Sequence, residues 1–348
     1  MPTYTAFAAA ALILVTVTGA HAGAAVKKTD YKGWKDCFEL SNSLVRLVVV
    51  PDIGGRIMEY SHNGHNVIWQ NPHELGVTAK SDVGKKWHNY GGYKAWNAPQ
   101  LRWRSPDNDN FYDYAPAHCE IIGPTEGDDS VGVRITCAPV DHLGFQFTRE
   151  VRLSGSSSHV RIIETMRNVG SKPIEWAVWE VTQVNAPCSI AFPVAEKSKF
   201  PLGWALMGPE LDDKGHVTRT GNIAVLEYAD VIDKIGTDSP DGWMAYFDES
   251  LAYIKRWRVD TDADYPDDGC NAEIFTADKA LGVYVEMEVL APIVKLDPGE
   301  ESHLVEDWYL TPVTETDASA AVGELRRGGF LPRSVSSDPA GQQQLPGS

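Results

Sequence analysis

The chain has 348 residues and a formal net charge of −17. So acidic a surface excludes nucleic acid and anionic membranes as partners, and it disfavours a strongly anionic polysaccharide unless a local basic groove overrides the field. The length can bury a large core, in one extended all-β domain or two smaller ones.

In chain order, residues 6–17 form an apolar run too short to span a bilayer comfortably, followed by Ala20-His21-Ala22. That A-x-A pattern predicts a cleaved secretory signal over 1–22, although no Lys or Arg precedes the run. The expected mature body is 23–335, secreted or periplasmic, with no membrane attachment after cleavage. Strand signals then dominate. Leu44 to Val50 ends at a turn, Pro51 to Gly55; Arg56 to Tyr60 resumes, turns at Asn63-Gly64 and continues as Val67 to Trp69. Lys80 to Tyr114 reads as a long polar and aromatic loop, of a length that is usually functional. Phe145 to Leu153, His159 to Asn168 and Ile174 to Val184 read as a meander of long antiparallel strands.

Helical periodicity is confined to Ala318–Arg327, after Thr316-Asp317. Residues 336–348, rich in Ser, Pro, Gly and Gln, predict a disordered tail. One antiparallel β-sandwich is the economical reading. The five cysteines allow a bridge between Cys119 and Cys137, placed about symmetrically around a turn at 127–130. Cys188 with Cys270 is a further pairing, and five buried thiols is the alternative.

The segment from Gly282 to Glu300 carries the chemistry. Val283, Val285, Met287 and Val289 alternate with Tyr284, Glu286, Glu288 and Leu290, so both carboxylates share one face of a strand. Repulsion and partial burial raise the pKa of at least one of them, which suits general acid–base work; a solvated sheet face is the plainer reading. The loop adds Asn89-Tyr-Gly-Gly-Tyr-Lys-Ala-Trp-Asn-Ala-Pro-Gln100, a mixture of flat aromatic faces and polar groups that suits sugars.

Gly54-Gly-Arg-Ile57, the 145–185 strands, and Glu286-x-Glu288 followed by Ala291-Pro292 and Leu296 to Glu300 together resemble the galactose mutarotase-like superfamily. The 89–100 stretch is similar to an uncharacterised secreted bacterial branch of it, the domain family numbered 4380. The resemblance, over roughly residues 35 to 312, implies an all-β supersandwich. It also implies a saccharide site in a concave sheet cleft and aldose 1-epimerase-like chemistry, with a late-strand Glu as base and a His as acid. The Glu carries over to Glu286. The His position lands on Trp179, which cannot donate a proton usefully.

The candidate catalytic residues are therefore Glu286, Glu288 and Lys94, with Arg56, His88, Trp96, Gln100, Trp179 and Gln183 as substrate-binding candidates. Lys94, near two carboxylates, is expected to be held charged and to clamp a sugar carboxylate or hydroxyl, and Arg56 to act as a ligand clamp or as a partner for Glu286. One alternation places Trp179 and Gln183 in the cleft and Glu180 between the sheets. A one-residue slip would instead pair Glu180 with Glu286. The expected partner is a mono- or oligosaccharide, with neither cofactor nor metal. A non-catalytic carbohydrate-binding protein and a polysaccharide lyase or hydrolase on the same scaffold are the alternatives. Sugar identity and oligomeric state are not encoded legibly.

Overall fold

The computed structural model describes residues 23–79, 85–105, 109–124, 128–208, 211, 215–248 and 250–332. The expected signal and tail lie outside the described residues. Among the described residues, two antiparallel sheets face each other. The first has twelve strands. Its path runs Ala25–Tyr31, Trp34–Ser41, Val45–Val50, Arg56–His62, Tyr93–Ala98, Ile174–Asn185, Tyr284–Leu290, Ala272–Ala277, Asp233–Thr237 and Ala205–Leu206. The second has ten. Its central strands are Trp243–Asp248, Leu251–Trp257, Glu301–Pro312, Val160–Asn168 and Phe145–Leu153.

Alternation explains the layering. Phe145–Leu153 buries every second residue, so Phe145, Phe147, Val151 and Leu153 enter the core. They meet residues of the first sheet there, including Leu47, Ile57, Tyr60 and Tyr93. Burial of such side chains contributes roughly 1.5–3 kcal/mol each. The Asn63-Gly64 turn forms with both residues at positive φ, 51° and 82°, as a two-residue hairpin loop of matching twist requires. Helix Ala318–Arg327 is capped by Asp317, whose side chain accepts from Ala320 N at 2.9 Å. Its Ala318, Ala321, Val322 and Leu325 cover Ala191, Val225, Ala245, Ala252 and Ile254 on the outside of the second sheet.

Three expectations change. The Lys80–Tyr114 segment is not a loop throughout: Tyr93–Ala98 is a central strand, buried at all six positions. Its Tyr-Lys-Ala-Trp-Asn-Ala alternation was hidden by polar residues and flanking Gly and Pro. Ile174–Asn185 does not continue the meander but crosses to the first sheet, between Tyr93–Ala98 and Tyr284–Leu290. A strand buried on both faces needs neighbours on both faces, and only a central place supplies them. The Cys119–Cys137 bridge is absent, and all five thiols are free. Register pairs Cys119 with Ile135, leaving Cys137 two residues past its partner position, beyond bridging reach. Cys188 and Cys270 are likewise unbridged.

Candidate functional site

The strands of the first sheet decide which side chains can meet. In Ile174–Asn185, Glu180 points between the sheets, where Lys255 of the second sheet binds it. Trp179, Val181 and Gln183 therefore point outward, so the one-residue slip is excluded. In Tyr93–Ala98, Tyr93 reaches inward to Glu164 at 3.3 Å, which sends Lys94 and Trp96 outward.

Cross-strand register then builds the outer face. Gln183 lies opposite Glu286, Glu286 opposite Phe275, and Phe275 opposite Lys234. One step along, Lys94 is opposite Val181, Val181 opposite Glu288, Glu288 opposite Glu273, and Glu273 opposite Gly236. One step further, Trp96 is opposite Trp179.

Two ion-pair centres result. In the first, Glu286 Oε1 accepts from Gln183 Nε2 at 2.9 Å and lies 3.4 Å from Lys94 Nζ. Gln183 Nε2 also donates to Asn89 Oδ1 at 3.0 Å. Lys94 is buried, whereas the Glu286 side chain keeps 12% of its surface exposed. The Lys94 ammonium sits 4.2 Å from the ring centre of Trp96 and 5.8 Å from that of Trp87. Burial holds its pKa below the ordinary lysine value; Glu286 opposes this and Arg56 adds to it.

In the second centre, Lys234 Nζ binds Glu273 and lies 2.8 Å from Glu288 Oε2. The same ammonium stands 4.7 Å over the Trp179 ring, whose Nε1 donates to Glu288 Oε2 at 2.6 Å. Burial opposes the charge on Lys234, but Glu288 and Glu273 outweigh it and raise its pKa. Burial raises the Glu288 pKa, against Lys234 and helped by Glu286, as expected of one member of the Glu-x-Glu pair. Glu273 is pushed up to about 8 by burial first, with Lys234 opposing and Glu288 assisting.

The remaining sequence candidates sit as follows. Arg56 is fully buried, with Nη2 2.6 Å from Asp113 Oδ2 and Nη1 donating to Gly91 O at 2.6 Å. It braces rather than clamps: Asp113 Oδ2 also accepts from Trp96 Nε1 at 2.9 Å, which fixes the indole beneath Lys94. Gly54 makes this possible, because a Cβ there would meet the Asp113 carbonyl at 2.1 Å. His88 is buried beside Glu74, with Nδ1 3.2 Å from Oε2, and stacks on Tyr90. Gln100 is exposed on a short turn beyond the strand end. Trp87 and Trp103 pack over Trp96, so the indole-rich part of the face is roofed and Glu286, Phe275 and Lys234 form its accessible margin.

Lys234, Glu273 and Phe275 were missed in the sequence. Alternation in Asp233–Thr237 and Ala272–Ala277 was the available signal, but neither stretch has an unusual composition. Two grooves of about 930 and 910 Å³ lie elsewhere, flanking residues 259–265. Neither is lined by Lys94, Glu286 or Lys234. Among the described residues, no group of three His, Cys, Asp or Glu side chains is placed to hold a metal ion.

This two-sheet architecture is the galactose mutarotase-like fold. A galactose mutarotase-like protein from Clostridium acetobutylicum superposes with a TM-score of 0.56 at 11% identity, over 84% of this chain and 99% of that one. A candidate aldose 1-epimerase from Escherichia coli K12 gives 0.51 at 12% identity, over 84% and 100%. A TPR-domain containing protein from Parabacteroides distasonis gives 0.55 at 15% identity over 89% of this chain, which spans 50% of that longer one. Such identities establish the fold alone. No curated protein matches the sequence. The profile of a domain of unknown function, DUF4380, matches residues 36–311, and the chain belongs to that family.

Proposed function

We propose that the protein binds a saccharide at the outer face and transfers protons on it in the manner of an aldose 1-epimerase. One observation carries this reading: a part-exposed carboxylate, Glu286, is held by Gln183 beside a buried lysine of lowered pKa. Glu286 takes the proton of the anomeric hydroxyl, whose O–H electrons form the carbonyl as the C1–ring oxygen bond breaks. Lys94 Nζ gives a proton to the departing ring oxygen. Rotation about C1–C2 and the reverse transfers close the ring as the other anomer and return both protons. Trp179 holds the position of the His that the family resemblance implies, and its N–H is committed to Glu288, so it serves as a wall.

Anomer-resolved NMR on a panel of aldoses tests this. The protein should accelerate interconversion, and Glu286→Gln should lower the rate by about 10²–10⁴-fold, the usual worth of a general base. A second reading, binding without turnover, is favoured by Trp179 itself. It predicts sugar titrations that Glu286→Gln leaves unchanged and no acceleration with either protein. Export rests on the 1–22 sequence pattern; an intact mass of the protein from its native host, starting near Gly23, would establish it.

A further inference from the structure

Asn89 lies half-buried in the segment that precedes strand Tyr93–Ala98. Its backbone is strapped down. Asn89 O accepts from Asn71 Nδ2 at 2.8 Å, Asn71 N donates to Tyr90 O at 3.0 Å, and Gly92 N donates to Trp69 O at 2.9 Å. Its side chain joins two strands of the first sheet. Asn89 Oδ1 accepts from Gln183 Nε2 at 3.0 Å, and Asn89 Nδ2 donates to Tyr284 Oη at 3.3 Å. Tyr284 packs on Trp69, with ring centres 4.4 Å apart, and stands two residues before Glu286 on the same face of its strand.

Gln183 is where this arrangement bears on Glu286. Its side chain is fully buried, and its amide nitrogen has two hydrogens. One goes to Glu286 Oε1 at 2.9 Å and the other to Asn89 Oδ1. Turning the amide over would set Gln183 Oε1 against both of those oxygens, with no hydrogen to share. The observed orientation holds even though it leaves Gln183 Oε1 without a hydrogen-bond partner among the described residues. Lys94 Nζ is the looser neighbour of the carboxylate at 3.4 Å, so the direction of Glu286 rests on the bond from Gln183.

We propose, resting on the proton-transfer reading above, that Asn89 is a positioning residue: it fixes the Gln183 amide with its N–H aimed at Glu286, and so holds that carboxylate where it takes a proton. The effect passes through Gln183 and needs no contact between Asn89 and the sugar. A base kept in one orientation is ready at each encounter, whereas one whose partner amide turns freely is misdirected for part of the time.

Two measurements on the full chain test this. The first follows solvent exchange of the Gln183 side-chain amide hydrogens, assigned by NMR through the backbone. Both should exchange slowly in the parent. Asn89→Ala should speed at least one of them about fivefold or more, the worth of one lost hydrogen bond, while the backbone amides of 174–185 keep their rates. The second follows anomer interconversion over a range of aldose concentrations. Asn89→Ala should lower kcat about fivefold and leave KM within about twofold. In a Gln183→Leu background the same change should alter kcat by less than about twofold, because the residue it acts through is gone. Unchanged Gln183 exchange, an unchanged kcat, or the same loss in both backgrounds overturns the inference. Should Gln183→Leu not fold, exchange and the single variant decide. A parent that interconverts no aldose overturns the proton-transfer reading, and the exchange measurement then decides alone whether Asn89 orients the Gln183 amide.

Discussion

Lys255 and Lys234 are each held by two glutamates, Lys255 fully buried between the sheets and Lys234 half-buried on the outer face. Lys255 Nζ binds Glu180 and lies 3.2 Å each from Glu306 Oε2, Thr182 Oγ1 and the Met287 carbonyl. Both Glu180 oxygens are used, and Glu306 Oε1 and the neighbouring Tyr253 hydroxyl stay open among the described residues. Nearby, Arg149 engages both oxygens of Glu164 and donates to Gly55 O. Around Lys234, by contrast, Glu273 Oε1 and Glu288 Oε1 have no hydrogen-bond partner among the described residues. The inner cluster ties one sheet to the other and leaves little for a ligand to do. The outer cluster belongs to one sheet and is chemically unfinished. Burial of charge does not by itself mark a functional site.

The sharpest way to break this contrast is to remove one lysine. Lys255→Ala leaves Glu180 and Glu306 uncompensated in the core and should cost about 3–5 kcal/mol in chemical denaturation. Glu286→Gln leaves the buried Lys94 without its carboxylate but keeps a hydrogen-bonding amide at a part-exposed position, and should cost less, about 1–3 kcal/mol, in the same experiment. Equal losses would erase the distinction between the two clusters.

A pH series sharpens it further. A carboxyl whose folded pKa is raised binds more protons folded than unfolded, so stability is full at low pH and falls as pH rises. For Glu273, raised to about 8, the window runs from about pH 4.5 to 8. Denaturation midpoints should decline across it, and Glu273→Gln should flatten that decline; a midpoint rising with pH across the window, or an unchanged slope in the variant, would refute the assignment.

The smallest effect concerns the thiols. With every cysteine free, reaction with a thiol reagent in denaturant should count five per chain, and the folded protein should react far more slowly. Three would mean that the oxidised protein closes a bridge after all.

The strand content and the Glu286 face were legible because period-two alternation states them directly. Asn63-Gly64 and the 318–327 helix were legible because turn and cap chemistry are local. What was not legible depended on neighbours distant in sequence. Tyr93–Ala98 looked like part of a binding loop because its burial comes from strands 56–62 and 174–185 on either side. Lys234 and Glu273 look ordinary until register sets them opposite Phe275 and Glu288. Arg56 looked available because nothing in Gly54-Gly-Arg-Ile57 announces Asp113, fifty-seven residues away. The burial that lowers the Lys94 pKa was not legible because the sequence gives its neighbours but not how dry its surroundings are.

The C-terminal helix has a consequence for biogenesis. Ala191, Val225, Ala245, Ala252 and Ile254 form an apolar strip on the exterior of the second sheet, and residues 318–327 are its cover. Those residues leave the ribosome after every strand has done so. Until they dock, the nearly finished sandwich presents a bare sticky flank to other chains. Early termination near Thr316 would make that transient condition permanent, and the product should self-associate.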